Sequence, residues 1–465
     1  MKHLVPTVLF LFTFNYLSLV QAKKSKPTSI KLDEKNAVLQ VLKKHNINPS
    51  EVSIEIRNDT DIVDSLNAKA LKTPASVTKL LTTYTVLQKL PLGFKFKTQL
   101  FYDGTNLYLK GGGDPSFVSE KMWYLVNAFT RTQITSVKDI IVDDTLFDQV
   151  RFDESRESKR VDRAYDSPVG AMSFNWNAVN IFVKPSEVGQ KAHVFVDPES
   201  DAYVLVNQTN TVNSVKKELV VSISNEDRKI TVSGDVSKNA EEKAVFKAVS
   251  EPDMWSGIQL KAFLKQRNIT STGTIRRGQV PQLVRLVATS ESKNLSEVLS
   301  DMNKFSNNFV AEMLTKTIAA QEVQQNASLK KGVEIIRSEL KKLGLTNKDF
   351  EVDNPSGLTR ENLLSAYALN EVLMAMKNNF TTFSTVVESL PIAGIDGTLK
   401  KRMKNSAAEG WVRAKTGYID GVVSLAGYAG RKNGDVLTFA FLYNGRRDET
   451  IVREAFDQIV ISLLQ

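Results

Sequence analysis

The most informative absences in this chain concern residues that commonly supply reactive or metal-binding side chains. Among its 465 residues there is no cysteine, and there are three histidines, His3, His45 and His193. Without cysteine the chain forms no disulfide and carries no thiol-linked lipid anchor, and a His/Cys zinc site lacks ligands. His3 lies in a segment that we expect to be removed, so a serine–histidine–aspartate triad is also hard to assemble. We therefore expect a nucleophile, if present, to use another type of base.

Long apolar runs are rare as well, and the one at the start of the chain is typical of a secretory signal. A basic start, Lys2-His3, precedes the apolar run from Leu4 to Val20 and the small-residue cleavage site Val20-Gln21-Ala22. Residues 1–22 are therefore predicted to be a signal peptide, with a membrane anchor as the alternative. No later segment is apolar enough to span a bilayer. We expect an exported protein with at most peripheral membrane association.

The charge balance is basic. Lysine and arginine number 61 against 52 aspartate and glutamate, a formal net charge of +9, and cleavage of the signal would remove Lys2. Outside the cytoplasm a basic surface suits an anionic wall polymer or a membrane surface, although a scattered solvating excess of charge explains it too. The export signal argues against nucleic acid as a partner.

Ser76 and Lys79 form the first candidate catalytic pair. They stand one helical turn apart, just after Pro74, at the head of an amphipathic stretch. A hydroxyl is a poor nucleophile until a neighbouring base takes its proton, and i,i+3 spacing brings two helical side chains within reach of each other. The pair therefore predicts a serine nucleophile served by a lysine base.

The Ser-x-x-Lys pattern alone has little specificity, because it recurs at Ser214/Lys217, Ser290/Lys293, Ser328/Lys331 and Ser338/Lys341. Context separates the first pair from the rest. Only Ser76 is followed by an apolar face at helical spacing, which would fix the pair against a core. This face consists of Leu80, Leu81, Tyr84 and Leu87.

Two further motifs have the residue types of a binding cleft. Lys415-Thr416-Gly417 occurs once, on a predicted strand, where the lysine offers a positive charge, the threonine a hydroxyl, and the glycine room for a close backbone. Ser306-Asn307-Asn308 lies between the other two motifs in sequence and presents a hydroxyl and an amide together. Each of these motifs is weak alone; their order gives the specificity.

The predicted elements suggest a divided chain. A helix around Ala37 to Lys44, a strand over 52–56 and the helix from Pro74 come first, and a strand-rich stretch follows from about Phe96 to Thr270. Later helices are predicted from Asp253 and over 294–320, 329–343 and 363–376, before a β meander over 412–415, 422–428 and 436–443 and a closing helix.

In their order, the three motifs resemble the set shared by penicillin-binding proteins and serine β-lactamases. More narrowly, the chain resembles the low-molecular-mass class C penicillin-binding proteins, the D-alanyl-D-alanine carboxypeptidase/endopeptidase family. Further stretches that carry the resemblance are Leu109 to Pro115, Ser167 to Asn177, Asp353 to Asn362, Leu390 to Arg402 and Gly421 to Tyr428.

The resemblance implies an α+β fold, in which an antiparallel sheet flanked by helices forms a catalytic domain from residues 23–95 and 271–465. Residues 96–270 would be an inserted β-rich domain. The implied activity is cleavage of D-Ala-D-X bonds in peptidoglycan stem peptides through an acyl-enzyme, in the periplasm, with β-lactams as covalent inhibitors. The implied mechanism needs no metal or organic cofactor. A β-lactamase and a catalytically silent peptidoglycan- or β-lactam-binding module are the alternatives.

The resemblance also implies a role for each site residue. Ser76 would attack, Lys79 would take its proton, and Ser306 with Lys415 would pass a proton to the leaving amine. The substrate would be held by Asn308, Thr416, Gly417 and the backbone N–H of Tyr418, a position that is often Thr or Ser in the family. Asp148, in the acidic stretch 143–148, is a candidate partner for the free amine of a stem peptide, or else part of a solvated turn.

Overall fold

The computed structural model describes residues 37–156 and 167–465, and the predicted signal peptide lies outside them. A five-stranded antiparallel sheet is built from both ends of the chain, in the order β18-β19-β20-β1-β2. Its strands are β1 (Val52–Asn58), β2 (Asp61–Leu66), β18 (Val412–Ile419), β19 (Val422–Gly430) and β20 (Val436–Asn444). The N-terminal hairpin therefore completes the C-terminal meander, and both ends of the chain contribute to one sheet.

Alternation along β20 explains why this sheet is covered on both faces. Every second residue of β20 packs with α1 (Ala37–Lys44) and α10 (Glu449–Ser462). These residues are Leu437, Phe439, Phe441 and Tyr443. Ala440 and Leu442 point to the opposite face and join a helical core. Since side chains of a strand alternate between its faces, a strand that is apolar at every position is buried on both.

The helical core covers that second face. It is formed by α2 (Lys79–Lys89), α5 (Leu295–Lys304), α6 (Asn308–Val323), α7 (Leu329–Lys342), α8 (Ala366–Lys377) and α9 (Phe380–Ser389). In α6 all residues from Asn308 to Ala320 are buried, as expected of a helix that runs through the middle of a domain. A two-stranded ribbon, β16 (Phe350–Glu351) and β17 (Leu363–Leu364), lies between α7 and α8 in sequence.

The inserted region has its own sheets and core. A mixed sheet runs in the order β14-β6-β4-β3-β15, with α3 (Ser119–Thr130) and α4 (Pro252–Lys265) packed on it. Its strands are β3 (Lys97–Tyr102), β4 (Leu107–Lys110), β6 (Ile140–Asp143), β14 (Ile275–Arg277) and β15 (Arg285–Glu291).

Three smaller sheets complete this region. β5 (Ser136–Val137) pairs with β13 (Thr270–Ser271), and the other two sheets have the orders β12-β7-β8 and β10-β11-β9. Their strands are β7 (Ala178–Lys184), β8 (His193–Asp197), β9 (Val204–Val212), β10 (Val220–Ser224), β11 (Lys229–Ser237) and β12 (Lys243–Ala248). Side chains from these two sheets and from the mixed sheet share one continuous buried cluster.

Two expectations about this region need correction. The boundary set after residue 270 is too early, because β15 pairs with β3 over Arg285–Glu291 and so belongs to the inserted sheet. Helix α3 was not predicted, although its buried residues Met122, Leu125, Val126 and Phe129 follow helical spacing. In the described part of the chain no helix has the length and hydropathy needed to cross a membrane.

Candidate active site

Ser76 lies on a short 3-10 turn, Ala75–Thr78, that leads directly into α2. The sequence predicted that the helix would already begin at Pro74. The backbone N–H of Lys79 closes the turn on the carbonyl of Ser76, and Thr78 Oγ1 donates to the carbonyl of Ala75 at 2.8 Å. Ala75 has a φ of +50°, a left-handed conformation that costs a non-glycine residue about 1–3 kcal/mol. The turn thus holds Ser76 in one position at the N-terminal end of α2.

Lys79 is completely buried beneath Ser76. Its Nζ donates to Ser76 Oγ at 3.1 Å, to Asn308 Oδ1 at 2.7 Å and to the carbonyl of Ser356 at 2.6 Å. These three hydrogen bonds hold Lys79 Nζ next to the Ser76 hydroxyl. In the neutral form this amine is positioned to accept the proton of Ser76.

Ser306 lies at a break between two helices. The sequence predicted one helical stretch over 294–320, but α5 ends at Lys304 and α6 begins at Asn308. Ser306 has a φ of +55°, and Asn307 caps α6 by accepting from the N–H of Val310. The break brings the Ser306 hydroxyl next to Lys415, while Asn308 reaches Lys79 from the first turn of α6.

Lys415 is the second completely buried lysine. Its Nζ donates to Ser306 Oγ at 2.9 Å and to the carbonyl of Thr416 at 2.7 Å. Burial, and after it the positive charge of Lys79, lower the pKa of Lys415 well below its usual value. The cluster therefore holds two amines that disfavour being charged at the same time.

Strand β18, an edge strand of the catalytic sheet, approaches the nucleophile at Gly417. A Cβ at this position would lie 2.0 Å from Ser424 Oγ, 2.7 Å from the carbonyl oxygen of Pro74 and 3.0 Å from the backbone nitrogen of Ser76. Ser424 Oγ itself donates to the Pro74 carbonyl at 2.6 Å. Only glycine allows the strand to pass this close to the turn that carries Ser76.

The neighbours of Gly417 lie toward solvent. Thr416 Oγ1 is 2.8 Å from Thr398 Oγ1. Tyr418 is 51% exposed, and its ring lies 4.6 Å from the guanidinium carbon of Arg453. The tyrosine ring therefore points away from the buried amines, while its backbone N–H remains one residue from the contact with Ser76.

Asp148 does not join the cluster of catalytic candidates. Lys316 Nζ, from α6, donates to Asp148 Oδ1 at 2.5 Å and also to the carbonyl of Val150. Glu312, one turn earlier on α6, forms a buried ion pair with Arg156. Both pairs attach the segment 148–156 to the helix that carries Asn308.

Sequence reasoning missed Ser356, whose carbonyl accepts from Lys79. Asn354 orients this loop because its Oδ1 accepts from the N–H and the Oγ of Ser356. Both residues belong to the stretch Asp353 to Asn362, which supported the family resemblance but was given no role. A backbone acceptor can come from any residue type, so the sequence holds no direct signal for it.

Metal chemistry has no candidate ligand set in residues 37–156 and 167–465. No group of three or more His, Asp or Glu side chains there is arranged to hold a metal ion. The described site consists of two serine–lysine contacts, Ser76–Lys79 and Ser306–Lys415, and of Asn308 beside Lys79.

A model of the D-Ala-D-Ala carboxypeptidase 3 (S13) family matches residues 35–464, and the chain belongs to that family. The predicted fold class and the predicted type of enzyme are thereby confirmed.

Individual proteins agree with this assignment. The chain is 29% identical over 396 residues to a D-alanyl-D-alanine carboxypeptidase of Actinomadura sp. (strain R39), covering 80% of this chain and 73% of that protein. It is 25% identical over 411 residues to D-alanyl-D-alanine carboxypeptidase DacB of Haemophilus influenzae, covering 83% and 84%.

A solved structure shows the same fold. The crystal structure of penicillin binding protein 4 (dacB) from Haemophilus influenzae superposes with a TM-score of 0.77 at 23% identity, covering 92% of this chain and 98% of that one. The same protein complexed with a β-lactam superposes with a TM-score of 0.72 at 22% identity, with the same coverage.

Proposed function

We propose that this protein hydrolyses the D-Ala-D-X bond of peptidoglycan stem peptides, with Ser76 as the nucleophile. The observation that carries the proposal is the contact of 3.1 Å between Lys79 Nζ and Ser76 Oγ, at the N-terminal end of the buried helix α2. A serine hydroxyl needs an adjacent base to attack an amide. Lys79 is that base, and Asn308 keeps it in place.

Acylation then proceeds through a tetrahedral intermediate. Lys79 takes the proton of the Ser76 hydroxyl as Oγ forms a bond to the carbonyl carbon of the penultimate D-alanine. The backbone N–H groups of Ser76 and Tyr418 stabilise the oxyanion, since preorganised donors stabilise charge that develops in the transition state. The close approach of Gly417 to the nitrogen of Ser76 supports this pairing.

Departure of the leaving group requires a proton on its nitrogen. Ser306 accepts a hydrogen bond from Lys415 at 2.9 Å, so its own hydroxyl proton is free to point into the cleft and to be replaced from Lys415. The lowered pKa of Lys415 makes that ammonium a better acid than an ordinary lysine. The C–N bond breaks, the amine leaves, and an ester to Ser76 remains.

Deacylation transfers the acyl group to water. Water attacks the ester carbonyl and gives up a proton through Ser306 to Lys415, Lys79 returns its proton to the Ser76 oxygen as the ester C–O bond breaks, and the shortened stem peptide dissociates. Asn308, Thr416 and the edge of β18 position the peptide in both steps.

The test is a comparison of three substrates: a soluble D-Ala-D-Ala pentapeptide, a cross-linked muropeptide and a β-lactam. A DD-peptidase releases D-alanine or splits the cross-link, and is acylated by the β-lactam with little turnover. Fast hydrolysis of the β-lactam alone would instead identify a β-lactamase. Binding of the β-lactam without turnover of either peptide would identify a silent module.

Asp148 remains a candidate for contact with the free amine of a stem peptide. That amine would compete with Lys316 for the Asp148 carboxylate. The carboxylate is about one-fifth exposed, and its ion pair with Lys316 gives it a structural role as well. Asp148→Ala assayed on a stem peptide with its side-chain amine free or acetylated separates the two roles. Loss of kcat/KM confined to the free amine supports recognition, whereas an equal loss on both substrates assigns a purely structural role.

The location belongs to the same proposal. The predicted signal peptide over residues 1–22 and the wall substrate both support a periplasmic location, with β-lactams as covalent inhibitors. Fractionation of cells and N-terminal analysis of the exported protein test this, and a protein beginning near Lys23 is expected.

A further inference from the structure

The hydroxyl of Thr398 lies beside the hydroxyl of Thr416, and the two Oγ1 atoms are 2.8 Å apart. Thr398 is exposed and Thr416 is half-buried, so a ligand that binds along β18 can reach this pair. Thr416 lies between Lys415, which donates to Ser306, and Gly417, which approaches the nucleophile. The pair of hydroxyls is therefore on the part of β18 that adjoins the catalytic cluster. Sequence reasoning gave a role to Thr416 and none to Thr398.

The segment 391–399, which carries Thr398, is fixed to β18 by its backbone. Two backbone hydrogen bonds of 3.1 Å join residues 391–393 to residues 412–414. A hydrogen bond between two accessible hydroxyls adds little to a segment that is already attached, because each hydroxyl exchanges a protein partner for water when the bond breaks. Attachment of this segment therefore does not account for the contact between Thr398 and Thr416.

The same segment also contacts the residues just before Ser306. Lys304 Nζ donates to Asp396 Oδ2, and a Cβ on Gly397 would lie 2.8 Å from the carbonyl oxygen of Lys304. Thr398 follows Gly397 directly in the chain. Its position is thus set by contacts with both β18 and the end of α5, the two elements that bring Lys415 and Ser306 together.

The next side chain on the same face of β18 does not provide this hydroxyl contact. Since side chains alternate along a strand, that residue is Tyr418. Its ring lies against the guanidinium of Arg453, and its hydroxyl is hydrogen-bonded to Glu449. The hydroxyl that contacts Thr416 therefore comes from Thr398, in a different segment of the chain.

The contact controls where the proton of Thr416 points. A hydroxyl has one proton to donate and can accept at the same time. When Thr398 donates to Thr416 Oγ1, the proton of Thr416 is left to point away from Thr398, toward a ligand. An ionised carboxylate is a strong acceptor for such a proton, and the ammonium of Lys415, one residue away, favours an anion over a neutral group at this place.

We propose that Thr398 is a positioning residue that directs the Thr416 hydroxyl at the C-terminal carboxylate of the substrate, an inference that rests on the proposed function. A stem peptide that ends in D-Ala-D-X presents this carboxylate on the leaving side of the bond that Ser76 attacks. Thr398 acts through Thr416 and does not itself touch the substrate. Its hydroxyl makes the site prefer a free carboxylate over a neutral end group.

Steady-state hydrolysis of two peptides tests the proposal: a pentapeptide that ends in D-Ala-D-Ala and the same peptide as its C-terminal carboxamide. Thr398→Val keeps the shape of the side chain but removes the hydroxyl. It is expected to lower kcat/KM for the free acid about fivefold, mainly through KM, with the loss confined to that peptide. Thr398→Ser keeps the hydroxyl and should behave as the wild type does. Thr381→Val is the matched control, because it removes an exposed hydroxyl that donates to Asn379 on another surface.

A double-mutant cycle separates an effect through Thr416 from an independent one. Thr416→Val should itself reduce the preference for the free acid. Adding Thr398→Val to it should cause no further loss, because residues that act as a unit are not additive. Additive losses in the double variant would overturn the positioning role.

Acylation rates with benzylpenicillin and with its methyl ester repeat the comparison without requiring peptide hydrolysis. Thr398→Val should again slow the reaction of the free acid alone. Equal losses with the charged and the neutral member of each pair, no loss at all, or a wild type that does not prefer the charged member, would overturn the inference while leaving the peptidase function intact. A wild type that cleaves neither peptide, yet prefers benzylpenicillin over its ester through Thr398, would refute the peptidase function and support the role in carboxylate recognition.

Discussion

Lys79 and Lys415 are both completely buried in one cluster, and the charge of Lys79 helps to depress the pKa of Lys415. They belong to elements far apart in sequence, α2 and β18, and each donates a hydrogen bond to a serine hydroxyl. Two like charges held in a protein interior raise the energy of the doubly charged form. The arrangement thus disfavours the state in which both amines are charged, and the lowered pKa makes Lys415 a readier proton donor than an ordinary lysine.

Lys79→Arg is expected to abolish efficient acylation although it preserves positive charge. Arginine stays protonated under all ordinary conditions, and loss of a general base lowers rates by about 100- to 10,000-fold. Stopped-flow or quenched-flow acylation by benzylpenicillin provides the measurement. Lys331→Arg, from another Ser-x-x-Lys sequence, is the control and should keep the wild-type rate; a near wild-type rate for Lys79→Arg would make Lys79 a structural cation.

Replacing Lys415 should change how stability depends on pH. Since the pKa of Lys415 is lower in the folded protein than its usual 10.5, the unfolded chain binds the proton more tightly, and wild-type stability rises with pH between the two pKa values. At a pH below the pKa of Lys415 in the folded protein, the full free-energy cost of burying its charge is present. Lys415→Met is therefore expected to be more stable than the wild type at low pH, by about 1–2 kcal/mol.

That advantage should shrink as the pH rises toward 10.5. Thermal unfolding across a pH series measures it, with the exposed Lys348→Met as a control that shows no such trend. An advantage of Lys415→Met that stayed constant with pH, or that grew, would contradict a depressed pKa in the folded state. The same variant should be inactive, because Ser306 loses its donor.

Gly417→Ala tests the close approach of β18 to the nucleophile. Its Cβ would lie 2.0 Å from Ser424 Oγ and 3.0 Å from the nitrogen of Ser76, so the strand must move away from the turn. We expect a loss of about 1–3 kcal/mol in stability and a slower acylation even where the protein is fully folded.

Gly430→Ala is the matched control on the neighbouring strand β19. A Cβ there meets Trp411 at 3.5 Å, an ordinary van der Waals distance. Near wild-type stability and acylation are expected for this variant. If Gly417→Ala acylated as fast as Gly430→Ala, the oxyanion would not depend on the approach of β18 to Ser76.

Sequence context singled out Ser76 and Lys79 as a pair, and the structure brings their side chains into contact. Ser76 and Lys79 were separated from other Ser-x-x-Lys sequences by the apolar face of α2, which is buried. The contrast with Ser328 is instructive: its Oγ accepts from the N–H of Lys331 and caps α7, while Lys331 Nζ pairs with Glu322. That pair is a helix cap with an exposed ion pair.

Features that depend on tertiary contacts were beyond the sequence. The break at Ser306 interrupts a region with continuous helical periodicity, so the pattern predicted one helix. The Ser356 carbonyl is a backbone group without a sequence signature. Asp148 looked like a free carboxylate because Lys316, its partner, lies 168 residues later in the chain.

Intact-mass analysis after incubation with benzylpenicillin tests the central claim, that Ser76 is the nucleophile, most directly. The wild type is expected to gain the mass of one drug molecule, because the β-lactam amide is opened by the same hydroxyl and the acyl-enzyme persists. Ser76→Ala should gain no mass, while Ser328→Ala, which lacks only a helix cap, should be acylated as the wild type is. A drug adduct of unchanged yield on Ser76→Ala would contradict the assignment.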